Sequence, residues 1–247
     1  DQPDIQGFTP LHDAAASNAW ASVKALIGMG HADVDLPDQT GCTALHDVCA
    51  HGHVSILKLL LPHTRALNVQ DHDGMTPLHH AVSGIHPECV RLLLGSGAEM
   101  EIQDYTGMFA LHITSQDNRR RTVLRMLCEA FCNLDVCDGD QQTALHLACI
   151  ANVPEVVKML LSFGADPFLR DRVGCQAVHL AARHGSVESC AILFEYNVDI
   201  NQLNWEGISA IGEARMNNRT KVLKLFDERY VLSRAVERQR EETLAAN

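Results

Sequence analysis

The sequence predicts an all-helical solenoid, a stack of about seven helix-turn-helix repeats. Two observations carry this. A nine-residue string recurs at nearly constant spacing: GFTPLHDAA from Gly7, GCTALHDVC from Gly41, GMTPLHHAV from Gly74, GMFALHITS from Gly107, QQTALHLAC from Gln141 and GCQAVHLAA from Gly174, with a weaker GISAIGEAR from Gly207. The steps between copies are 34, 33, 33, 34, 33 and 33 residues. Each string is followed by a second apolar segment, such as Val54–Leu61, Cys89–Leu94 or Val156–Leu161, and then by a glycine turn such as Gly97-Ala98-Glu99. Self-similarity at this period marks stacked supersecondary units, none of which buries its own apolar face alone.

The elements follow from local chemistry. Thr9-Pro10 opens a helix: proline fits the first turn, where its missing N–H costs nothing, and the threonine hydroxyl caps free amides. Leu11, Ala14 and Ala15 are spaced to face neighbouring repeats, with small side chains that let helices approach closely. Leu59-Leu60-Leu61 and Leu92-Leu93-Leu94 fill a second layer, and a glycine such as Gly97 ends that helix. Segments such as Asp71-His72-Asp73-Gly74 then form the hairpin tip before the next helix. Repeats are expected to start near residues 4, 38, 71, 104, 138, 171 and 204. The seventh is a degenerate cap in which Gly212 stands at the histidine position. Residues 230–247, with apolar residues at loosely helical spacing, are expected to add a C-terminal capping helix or tail.

With its recurring T-P-L-H signature and period of about 33, the chain resembles the ankyrin repeat family over about residues 4–229. The resemblance implies β-hairpin tips aligned on one side, and a non-catalytic module binding a partner protein or peptide on a concave surface of tips and inner helices. It also implies that His12, His46, His79, His112, His146 and His179 tie adjacent repeats together through backbone groups. An alternative reading is a recognition domain serving a larger protein, such as a ubiquitin-ligase adaptor, an acyltransferase or a channel. The sequence begins at Asp1 and not Met, which reads as a piece of a longer chain.

Composition bounds the function. The 247 residues are 46% apolar, 21% charged and 5% aromatic, with a formal net charge of −11. That charge argues against direct nucleic-acid binding, which needs surplus Lys and Arg along the contact face. The acid is concentrated in residues 1–212, while residues 213–247 hold eight basic and six acidic side chains. No apolar run approaches the roughly 18–20 residues of a membrane helix. Nine cysteines without a CxxC pair point to reduced thiols, hence a cytoplasmic or nuclear location. The module is expected to be monomeric.

No phosphate-binding glycine loop, G-x-S-x-G elbow or HExxH helix is present, so no enzyme, cofactor or metal site is expected. Fourteen histidines invite a metal reading. Six are absorbed by the repeat signature, and the set His51, His53, His79, His80 and His86 is the one able to cluster across repeats two and three. Arg119-Arg120-Arg121 reads as a solvated loop or as a contact for an acidic partner segment. Residues at variable tip and inner-helix positions that packing does not demand are the candidate partner contacts. These are Met75, Tyr105 and Met108, with Gln116 and Asp117 at the helix end, and Arg172, Arg183, His184 and Trp205 further along. The family resemblance further implies asparaginyl hydroxylation at a hairpin Asn with a Leu eight residues earlier, met by Asn68 with Leu60 and by Asn201 with Leu193.

Overall fold

A computed structural model of the chain describes residues 4–5, 7–30 and 32–228. The expected C-terminal helix over 230–247 and the tip residue Gln6 lie outside the described residues. Contacts cluster into two units, Asp1–Asp140 and Gln141–Asn247.

The first unit holds four helix pairs: α1 (Pro10–Ala16) with α2 (Trp20–Gly28), α3 (Ala44–His51) with α4 (Val54–Leu60), α5 (Pro77–Ser83) with α6 (Pro87–Gly95), and α7 (Ala110–Ser115) with α8 (Arg121–Glu129). A 3-10 turn, Asn118–Arg120, links the last two. The second unit holds three pairs: α9 (Ala144–Ile150) with α10 (Pro154–Ser162), α11 (Ala177–His184) with α12 (Val187–Glu195), and α13 (Ala210–Met216) with α14, which covers residues 220–228. The seventh repeat is thus complete as a helix pair despite its degenerate signature.

The inner helices start as the sequence predicts. In α1, α3, α5 and α9 the threonine hydroxyl before the helix lies 2.8–3.0 Å from Nδ1 of the signature histidine, and the threonine backbone N–H donates to the same nitrogen. Nδ1 is therefore the acceptor and Nε2 carries the proton. In four of the six signature histidines that proton is spent on the next repeat: His12 Nε2 donates to the Cys42 carbonyl at 3.1 Å, His46 to Val69 and Met75, His146 to Cys175 and His179 to Gln202, whereas His79 Nε2 is buried without a hydrogen-bond partner. All six signature histidines are buried, which makes them scaffold, as the family resemblance implies. Burial pushes the His46 imidazole down to about 4, aided by neighbouring His80, and pushes His79 and His179 down as well.

The apolar layers match their expected positions. Leu45, Val48 and Cys49 of α3, Ile56, Leu57 and Leu60 of α4, and Leu78, Ala81 and Val82 of α5 are buried in one continuous cluster of the first unit. Full burial of each large side chain is worth about 1.5–3 kcal/mol. In the second unit, Phe226 of α14 meets Phe194 of α12 edge to face at 5.5 Å and closes the outer layer.

The tips are held by turns and not by strand ladders; among the described residues the sole β feature is an isolated bridge between Leu203 and Ser209. The Asp at each tip organises the turn. Asp71 Oδ1, for example, accepts from the Asp73 and Met75 amides, and its own N–H donates to the Met75 carbonyl. Asp38, Asp104, Asp171 and Asn204 repeat this pattern.

Candidate partner-binding surface

The tip glycines create the surface. Gly74 has φ +77° and Gly174 φ +79°, a left-handed conformation that side chains disfavour, and each leaves room for the ring one repeat further on. A Cβ at Gly74 would lie 2.6 Å from Tyr105 Cδ1, and one at Gly174 2.7 Å from Trp205 Cδ1. The backbone clamps the same contact: Tyr105 N–H donates to the Asp73 carbonyl at 2.9 Å, and Trp205 N–H to the Val173 carbonyl at 3.1 Å. His72 takes the equivalent place over Gly41. Each ring is thus backed by a glycine and still largely exposed, Tyr105 by 72% and Trp205 by 68%.

On the first unit, Met108 shares the Tyr105 tip and Gln116 Nε2 reaches to 3.8 Å from Met108 Sδ, so these candidates adjoin. Met75 sits half-buried on the preceding tip. Asp117 has a different occupation. Its carboxylate caps the 3-10 turn by accepting from Arg119 N–H and pairs with the Arg119 guanidinium at 2.7 Å, which holds it below the usual carboxylate range. The arginine run is correspondingly structured: Arg120 is partly buried and its Nη2 donates to the Ser83 carbonyl at 3.2 Å.

On the second unit, Arg170, which sequence reasoning passed over, places its guanidinium 4.9 Å above the Trp205 ring. It also donates to the Gly174 and Leu203 carbonyls. The cation–π contact orients the indole. Gln70 bonds the Gly74 and Gln103 carbonyls in the same way on the first unit, so the repeat spacing between positions 70, 103 and 170 was the available signal. Phe168, Val173 and Leu203 add exposed apolar area to these tips. Arg172 is exposed on the Val173 tip.

Arg183 faces inward more than expected. It grips Glu213 with two hydrogen bonds, Nε–Oε2 at 2.9 Å and Nη2–Oε1 at 2.6 Å, and Glu213 is buried. Asn204 Nδ2 adds a contact to Glu213 Oε1 at 3.4 Å. His184, next in sequence, is exposed; partial burial and the charges of Arg183 and Arg219 push its imidazole below the usual histidine range.

The two hydroxylation candidates differ. Asn68 is braced across repeats, Nδ2 to Glu99 Oε1 and Oδ1 to the Glu99 N–H, both at 3.0 Å. Asn201 is exposed and bonds only within its own turn, to Asp199, among its described contacts. Among the described residues no helix is long and apolar enough to cross a membrane, and the nine cysteines are free thiols.

Comparison with known proteins places this geometry. A family model for ankyrin repeats in three copies matches residues 11–104, 86–171, 111–204 and 154–233. The B-cell lymphoma 3 protein homolog of Mus musculus is 35% identical over 100 residues, which are 39% of this chain and 22% of that protein. NF-kappa-B inhibitor alpha of Homo sapiens is 49% identical over 53 residues, 22% of this chain and 17% of that protein. The matched stretches are thus less than a quarter of those relatives' lengths. The crystal structure of the Bcl-3 ankyrin repeat domain, a member of the IkappaB protein family, superimposes with TM-score 0.81 at 25% identity, covering 90% of this chain and 99% of that one. That of the human ASB11 ankyrin repeat domain gives 0.77 at 28% identity, covering 88% and 98%. With a family model spanning nearly the whole described chain, and with signature, helix pairs and tips all in agreement, the protein belongs to the ankyrin repeat family.

Proposed function

We propose that the chain is a non-catalytic module that binds a protein partner through its tips and inner-helix ends, and that a subunit of NF-kappa-B is the first partner to test. One observation carries the reading: large aromatic side chains, Tyr105 and Trp205, are held open to solvent by dedicated backbone geometry, although packing does not require them there. Rigid, pre-oriented aromatic residues supply contact area at low entropic cost and are enriched among interface anchors. The acidic body suits a basic partner surface, which would speed encounter. The partner class is suggested by likeness to NF-kappa-B inhibitor alpha and to Bcl-3. Free thiols throughout suit a reducing compartment, so we place the module in the cytoplasm or nucleus. Binding of the full chain to a purified NF-kappa-B subunit, measured by calorimetry with and without Tyr105→Ala/Met108→Ala, tests the proposal. Binding weakened by the double variant supports it, and absence of binding refutes the partner.

A further inference from the structure

Within the first unit, three side chains from two successive repeats converge. Cys42 comes from the second tip, Asp71 from the third tip and His80 from α5. Cys42 Sγ is 3.7 Å and His80 Nε2 2.7 Å from the same oxygen, Asp71 Oδ2, and the three ligand atoms all lie within 4.8 Å of one another. Asp71 is buried, with its other oxygen fixed by the Asp73 and Met75 amides, so Oδ2 cannot swing away without breaking the turn.

We propose that Cys42, Asp71 and His80 form a binding site for Zn²⁺ or a similar borderline-soft divalent ion that clips repeat two to repeat three. A thiolate, a carboxylate and an imidazole are the ligand types zinc selects, and three protein ligands with water in the fourth position is a recurrent coordination. Tetrahedral bonds of about 2.0–2.3 Å put ligand atoms roughly 3.3–3.7 Å apart. The sulfur to oxygen separation already has that value, and the nitrogen to oxygen pair opens slightly as the ion replaces the proton between them. On binding, the Cys42 thiol proton leaves to solvent, and the Nε2 proton of His80 leaves or moves to Nδ1.

The charge pattern favours a cation at this register. The equivalent positions in the last two repeats hold Cys175, Asn204 and Glu213, and there the Arg183 guanidinium neutralises the carboxylate. Four repeats earlier, 133 residues before Arg183, stands Ala50, which supplies no charge. Instead Asp47 of α3 has a buried carboxylate oxygen, Oδ2, without a hydrogen-bond partner, and its charge bears on Cys42. A bound ion would offset the charge of Asp71 directly and that of Asp47 at longer range. The other registers break the triad: Phe8 stands in place of Cys42 in the first repeat, and Ile113 in place of His80 in the fourth. The sequence-based expectation of no metal site weighed the histidines without the thiol and carboxylate that the fold brings to one of them.

The test is Co²⁺ and Zn²⁺ titration of the full chain under reducing conditions. The expected result is one equivalent bound with a thiolate-to-cobalt charge-transfer band and tetrahedral d–d absorption, displaced by Zn²⁺. Cys42→Ser should remove the charge-transfer band. His80→Gln should keep the thiol but weaken binding by at least about tenfold, and Cys137→Ser, an exposed thiol elsewhere in the unit, should change neither. Circular dichroism confirms that each variant is folded. No thiolate band in the parent chain, or a band that survives Cys42→Ser, would overturn the proposal.

Discussion

Replacing Arg183 by alanine isolates the second unit's buried charge. The Glu213 side chain is 3% exposed and the Arg183 side chain 32%, so truncation strands a carboxylate that water barely reaches. Breaking a buried pair by removing one partner costs about 3–5 kcal/mol. Arg183 is partly solvated and Asn204 Nδ2 remains 3.4 Å from Oε1, so the expected loss is nearer about 2–3 kcal/mol. Adding Glu213→Gln removes the stranded charge and should recover most of it, leaving about 1 kcal/mol for the lost hydrogen bonds. The assay is urea unfolding in a Trp20→Phe background, in which Trp205 is the sole tryptophan and reports on the second unit. An Arg183→Ala loss below about 0.5 kcal/mol, or no recovery on adding Glu213→Gln, would refute the reasoning. The result also decides how binding data for Arg183 variants are read, because a destabilised second unit would mimic a lost contact.

Three further outcomes follow from the same geometry. The His46 imidazole, with its folded value near 4 against 6.5, binds its proton more readily when unfolded. Its contribution is therefore fully present above pH 6.5, and roughly 3 kcal/mol is lost as pH falls to about 4. His79 and His179 act in the same direction, while Asp47, pushed up by burial, opposes them; unfolding midpoints that stay flat from pH 7.5 to 4.5 would contradict this. Gly174→Ala strains a φ of +79° and displaces the Trp205 ring, so about 1–3 kcal/mol of stability should be lost together with a shift in Trp205 emission; unchanged emission would mean the ring is not seated there. We propose Asn201 over Asn68 as the hydroxylation site, because the Glu99 bonds must break before Asn68 can enter an enzyme pocket; peptide mass spectrometry after incubation with an asparaginyl hydroxylase should show +16 Da at Asn201 first, and modification of Asn68 alone would reverse the assignment.

Much of the fold was legible because it is local and repeated. The Thr-x-x-His cap, the Leu and Ala spacing and the turn glycines each act within a few residues, and the period copies every consequence along the chain. What escaped was long in sequence and specific to one register. Arg183 and Glu213 are 30 residues apart, and Glu213 lies in the degenerate repeat, so reading Arg183 as an exposed contact was natural from its inner-helix position. The seating of Tyr105 on Gly74 and Trp205 on Gly174 was hidden for a related reason: the glycine reads as a turn residue, and nothing local says that the ring one repeat later fills the space. Asp117, read from the sequence as a partner contact at the helix end, caps the 3-10 turn, and its partner Arg119 belongs to a basic run that resembles a loop. The cluster of Cys42, Asp71 and His80 joins three positions 29 and 9 residues apart, each ordinary by itself.

The most direct test of the binding reading is the affinity of the full chain for a purified NF-kappa-B subunit, measured by calorimetry alongside Tyr105→Ala/Met108→Ala and Trp205→Ala. Removing an anchor commonly costs about 2 kcal/mol or more, roughly thirtyfold in affinity, so at least one of the two variants should weaken binding by that factor while its unfolding midpoint stays within reach of the parent. Equal affinity for all three proteins, or loss of binding on altering the exposed Phe131 beyond α8 while the tip variants bind normally, would contradict it.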